Sequence, residues 1–285
     1  MAPLVKDDVF EESFLENAIP PRPLAVEMIA REIDKQDPDF RLMERVLVGD
    51  VAIAGALLKT VNSPFFGLRR HVHTVKDALM LMGVKSVAQV VACVSLRSTF
   101  PSLRFERFWD ASMKIAALSS WFAKEHRLPG ITPDLAYTYG LFRDSGIAVI
   151  SARLPKYQEV LAAANADLVD SFTDVERRFV PVSHAQVGAM LAQTWWLPNK
   201  VTEAIRHHHN AAAIEPVASG VDIPYVGGTL IAVSQLAEQL LQQSTGLSQT
   251  KEWQKLGPAC LRRLSMDERE IPKLVVDARL VLRDI

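Results

Sequence analysis

Cysteine is almost absent from this chain. Its 285 residues hold two, Cys93 and Cys260, far apart and each within an apolar helical stretch. That excludes a disulfide framework or a four-cysteine zinc site, and both read as small buried hydrophobes. An excess of charge is missing as well. Lys and Arg number 32 against 33 Asp and Glu, a net charge of −1, which argues against nucleic acid or an anionic membrane surface as partner. The densest basic cluster, Arg69-Arg70 with His71 and His73, is too small for a nucleic-acid face. No apolar run approaches the roughly 18 residues of a membrane span. Asp7 to Glu12 is acidic, unlike the basic and apolar regions of a signal peptide. Gly-rich phosphate loops, Gly-x-Ser-x-Gly elbows and internal repeats are also lacking. A soluble cytoplasmic protein with no membrane span is expected.

Alternating strand patterns are scarce too, and what is present is helical periodicity. Pro20-Pro21-Arg22-Pro23 stiffens the entry to a helix with Leu24, Met28, Ile29 and Ile33 on one face. Asp37-Pro38-Asp39 interrupts it, and Asp50 is placed to cap a helix through Ile53, Leu57 and Val61. Asn62 to Gly67 reads as a turn carrying Phe65-Phe66, which either packs inward or forms a contact surface. Thr74 with Asp77 has capping-box spacing; Gly83 is expected to end that helix, and another is expected from Ser86 to Ser98. Pro101 marks a boundary.

Beyond it, the pattern predicts a helix over 105–123. Thr132-Pro133 starts the helix expected to carry Arg143-Asp144. Ser183 with Gln186 puts His184 in the first turn of another. Of Trp195-Trp196, at most one can face inward at a helix end, leaving the other for a surface. The next helix ends at His207-His208-His209, Gly220 to Gly228 reads as a linker, and helices follow over 229–243, 253–264 and 267–283. The class is all-α.

The stretch Tyr139-Gly140-Leu141-Phe142-Arg143-Asp144-Ser145-Gly146 resembles the Gly-Leu-Leu-His-Asp-Ile-Gly segment of the HD metal phosphohydrolases, with Arg in place of the metal-binding His. A guanidinium is permanently charged and has no lone pair to give a metal. Ile19-Pro20-Pro21-x-Pro23, Leu57-Leu58-x-x-Val61-Asn62-Ser63-Pro64-Phe65-Phe66-Gly67, Thr74-Val75 through Gly83, Trp109-x-x-Ser112, and Ala204-Ile205-Arg206-His207-His208-His209 add to this. Together they resemble the bacterial HDOD (HD-related output domain) family over residues 14–283. The resemblance implies an N-terminal helical lobe, 14–100, and an HD-like helical bundle, 104–283.

It also implies a degenerate metal site. The first ligand position falls near Ala111, the second at Arg143, and the distal acid near Gln235, so only Asp144 is kept. No metal and no cofactor are expected. The vestigial candidates are Asp144, His184, His208 and His209, which either serve as a helix C-terminal cap and its surroundings or converge on one ion. Arg143 has two readings: an ion pair with Asp144 or another carboxylate, or an anion-binding residue for a phosphate. The function implied is a catalytically inactive signal-transduction protein that binds signalling partners, with input arriving in trans. The alternatives are a metal-dependent phosphohydrolase acting on a nucleotide or cyclic dinucleotide, and a metal-free nucleotide sensor.

Overall fold

In a computed structural model, residues 17–33, 35–62, 71–100, 106–215, 223–247 and 249–283 are described, and among these there is no strand. Phe65-Phe66 lies outside the described residues. The chain divides into two compact units: Pro21–Pro101, and Ser102–Ile285 together with the residues up to Pro20.

In the first unit α1 (Leu24–Ala30), α2 (Phe40–Val48), α3 (Val51–Val61) and α4 (Val75–Thr99) surround a core that includes Ile29, Met43, Leu47, Leu57 and Val91. Local caps set the starts. Asp39 accepts from the Leu42 amide, Asp50 from those of Ala52 and Ile53, and Thr74 from that of Asp77. Each satisfies an amide that the first turn leaves without a partner. The Asn62 side chain accepts from the Val72 amide and donates to the Val72 and Leu58 carbonyls at 2.7–2.8 Å.

Gly83 ends the first helical stretch of α4 where the sequence indicates: at φ 75°, ψ 161°, backbone angles open to glycine at little cost, it is a non-helical kink between two helices that run on as one element. One expectation changes: taken across that kink, Val75–Thr99 is long and apolar enough to meet the length and composition of a membrane span. Within the unit α4 buries Ala78, Leu79, Val87, Val91 and Leu96, as a core helix does.

In the second unit, α5 (Glu106–His126), α13 (Tyr225–Thr245) and α15 (Ile271–Arg283) build one core, and α6 (Pro133–Phe142) packs on α5. The centre of that core is Leu118, Phe122, Val233, Leu236, Leu240 and Leu274. Around them run α7 (Ser145–Arg153), α8 (Tyr157–Ala166), α9 (Phe172–Arg177), α10 (His184–Thr194), α11 (Asn199–His207), α12 (Ala211–Ile214) and α14 (Glu252–Leu264). Thr132 caps α6 with Pro133 at its first position, and Ser183 caps α10. Helix α13 starts at Tyr225, inside the stretch expected to be linker. The final helix is preceded by a 3-10 turn over Glu268–Glu270 that Asp267 closes with a capping box.

Candidate metal-ligating site

The chain does not run helically through Arg143-Asp144. Helix α6 stops at Phe142, and Asp144 (φ −101°, ψ 11°) is the N-cap of α7. This break sends two adjacent side chains to different partners. Arg143 is almost fully buried and is held at both ends: Nε donates to Asp144 Oδ2 at 2.9 Å, and Nη2 meets Glu238 Oε2 at 2.8 Å. Its Nη1 donates to the Ser234 carbonyl and hydroxyl at 3.4 and 3.3 Å. Burial opposes the charge, but the two carboxylates outweigh it and raise the guanidinium's pKa further. Arg143 is therefore an internal cation whose three nitrogens are all engaged by groups of this chain, two of them by carboxylates. The ion-pair reading describes what it does here.

Glu238 is the acid that sequence reasoning missed. Gln235, the position expected to replace the distal ligand, is buried and donates to Glu238 one turn along α13. Ala111 on α5 packs against the core and offers no ligand atom. A signal was available: Glu238 is the one charged residue in the whole of α13, and a lone charge in an apolar helix requires a buried partner.

The other four candidates come together. One ligand atom each from Asp144, His184, His208 and His209 lies within 4.8 Å of all the others. His184 Nε2 is 3.2 Å from His208 Nε2 and 3.1 Å from His209 Nε2. Asp144 Oδ1 is 3.3 Å from His208 Nε2 and 3.7 Å from His184 Nε2. These histidines are not helix caps in the main. Only His208 bonds a last-turn carbonyl, that of Ile205 at 2.7 Å.

The far side of each ring fixes its tautomer. His184 Nδ1 faces both oxygens of Glu176 at 2.9 Å, and His209 Nδ1 faces Glu252 Oε2 at 2.6 Å. Carboxylates and carbonyls only accept, so all three Nδ1 atoms carry the proton. In a neutral ring Nε2 then presents a bare lone pair. With the rings neutral, three such lone pairs and a carboxylate oxygen point into one small space, an arrangement that a metal cation or a shared proton satisfies.

Glu176 is fully buried; it also accepts from Tyr157 Oη and faces the His184 amide, while Lys255 pairs with Glu252. Burial pushes the Tyr157 hydroxyl well up, and the Glu176 charge pushes it further. Burial and the neighbouring His208 hold His209 down to about 3. For His184 burial also favours the neutral ring, but Glu176 and Asp144 reverse it and raise the pKa. Asp144 is held well below the usual carboxylate range, because Arg143 and the two histidines outweigh its burial. His207 takes no part: it turns toward Glu203.

A cavity of about 450 Å³ adjoins the cluster, lined among others by Arg177, Arg206, His209, Asn210, Glu252 and Lys255. Trp195 is buried, its indole facing Phe142 and donating to the Pro20 carbonyl, whereas Trp196 is exposed.

Comparisons agree on the fold. The profile of the HDOD domain matches residues 19–211. An uncharacterized protein of Treponema pallidum (strain Nichols) is 27% identical over 194 residues, 67% of this chain; the chain spans 38% of that relative's length. An HDOD domain protein of unknown function from Geobacter sulfurreducens superposes with a TM-score of 0.66 at 20% identity, covering 96% of this chain and 99% of the other. A provisionally named phosphohydrolase from Shewanella amazonensis gives 0.67 at 18% identity, covering 95% and 97%. A provisionally named signal transduction protein from Marinobacter aquaeolei gives 0.64 at 19%, covering 98% of this chain and 61% of the other.

Proposed function

The chain belongs to the HDOD family, and from that premise we propose that it is a bacterial signal-transduction module that works in the cytoplasm by binding partner proteins, without hydrolytic turnover. The observation that supports this is Arg143. Its guanidinium lies between Asp144 Oδ2 and Glu238 Oε2, so Glu238 and one oxygen of Asp144 are engaged by a fixed cation and only Asp144 Oδ1 faces the histidines. A metal ion in that position would polarise a phosphoryl oxygen and lower the pKa of a bound water. A guanidinium supplies the charge alone; it has no coordination site for water and generates no hydroxide. With no ligand atom at Ala111 and an amide at Gln235, nothing else at these positions replaces the lost function.

A second reading, a metal-dependent phosphohydrolase, is favoured by the cluster of Asp144 with three histidines. One assay separates the two. Purified protein supplied with manganese or iron is incubated with cyclic dinucleotides and with p-nitrophenyl phosphodiesters, beside Arg143→His and Asp144→Ala. The binding-module reading expects no turnover above the protein-free blank in any of the three. Metal-dependent turnover in the unmodified chain that Asp144→Ala abolishes would refute it.

A further inference from the structure

We propose that Asp144, His184, His208 and His209 bind one divalent transition-metal cation in a closed, structural site, with Arg143 holding the other oxygen of Asp144. The inference goes beyond the signalling role and holds whether or not partners are found.

The spacing fits a small tetrahedral ion. Ligands at about 2.0–2.1 Å from such a metal stand about 3.3–3.4 Å apart. Four of the six ligand–ligand separations, 3.1, 3.2, 3.3 and 3.7 Å, are close to that, and all six lie within 4.8 Å, so the ligands need only draw in slightly around the ion. The donor set fits too, since imidazole suits zinc, iron, nickel and copper, and the carboxylate offsets half of the ion's charge. Each ring is already oriented from behind by Glu176, the Ile205 carbonyl or Glu252. Outer partners of this kind hold imidazoles in the ligating tautomer.

Four protein ligands complete a tetrahedron and leave no position for an activated water, as in structural zinc sites. Those ligands come from the start of α7, the start of α10 and the segment after α11, while His209 is tied to α14 through Glu252. One ion would therefore staple four elements together. Arg143 limits the count to one, because its Nε occupies the other oxygen of Asp144.

The test is a titration of untagged, chelator-stripped protein with cobalt(II), followed by visible absorption and by metal content after desalting. The expected result is saturation at one equivalent, a tetrahedral d–d spectrum, and displacement by one equivalent of zinc. His184→Ala is expected to weaken binding at least about 100-fold, and Glu176→Gln or Glu252→Gln about 10–100-fold each with the stoichiometry unchanged. His207→Ala is expected to change nothing. Circular dichroism checks each variant's fold, and Glu252→Gln decides the matter should His184→Ala unfold. Two equivalents, no saturation, or the same isotherm in the unmodified chain and in Glu252→Gln would overturn the proposal.

Discussion

Glu238 Oε2 sits 2.8 Å from Arg143 Nη2, and both side chains are about 95% or more buried. A buried ion pair is costly to assemble and costlier to break, because removing one partner strands the other's charge. Glu238→Ala should therefore destabilise the chain by about 3–5 kcal/mol, read from the denaturant midpoint at unchanged slope. The double replacement Arg143→Met with Glu238→Leu should cost much less than the single one, since apolar substitutes for buried ion pairs are often neutral. If the double variant were as unstable as Glu238→Ala, the pair would owe its effect to packing and not to charge.

Gly146 is required by how closely α7 approaches α10. A Cβ there would stand 2.0 Å from the His184 carbonyl oxygen and 2.7 Å from the Gly188 amide nitrogen, both backbone atoms. Gly146→Ala must push the two helices apart, at a cost of about 1–3 kcal/mol or more. The displaced backbone carries His184, so cobalt affinity should fall along with stability. Loss of stability with unchanged affinity would show that His184 is positioned independently of α7.

Acid should weaken the cation-free protein through His209. Its pKa falls from an unfolded value near 6.5 to about 3 in the fold, since burial and His208 disfavour its charge. Between those values the unfolded chain binds the extra proton, so stability rises with pH across that window and is lost as pH falls. The slope expected from this one group is about 1.4 kcal/mol per pH unit. His184 has the opposite sign, with a raised pKa whose contribution is full below 6.5 and declines only at higher pH. Denaturant melts at pH 4, 5 and 6 should show the slope shrink in His209→Asn. An unchanged slope would assign acid sensitivity to other groups.

In the first unit, Asn62 makes three hydrogen bonds, two of them to both backbone groups of Val72. Asn62→Ala leaves those groups without their partner, at about 1–3 kcal/mol. Thermal unfolding with a probe in that unit, such as hydrogen exchange of α3 and α4, should show the loss.

Helix starts could be read from sequence because each depends on a bond within three residues. Asp50, Thr74, Thr132 and Ser183 cap where their spacing indicates, and the fold class followed from periodicity. The gathering of Asp144 with His184, His208 and His209 could be stated as an alternative only through resemblance, since no local spacing relates positions 144, 184 and 208. The partners behind the rings were out of reach. Glu176 precedes His184 by eight residues across a turn, and Glu252 meets His209 from 43 residues away. Gly83 was legible for the same local reason: a glycine free to take positive φ breaks the helical run, and two helices meet at it within α4.

The most direct measurement is anomalous diffraction from crystals grown with cobalt or manganese. A single peak among Asp144, His184, His208 and His209, with Arg143 still on Asp144 and Glu238, is the predicted result. A second peak between Asp144 and Glu238, with the guanidinium turned away, would contradict the account and favour the hydrolase reading.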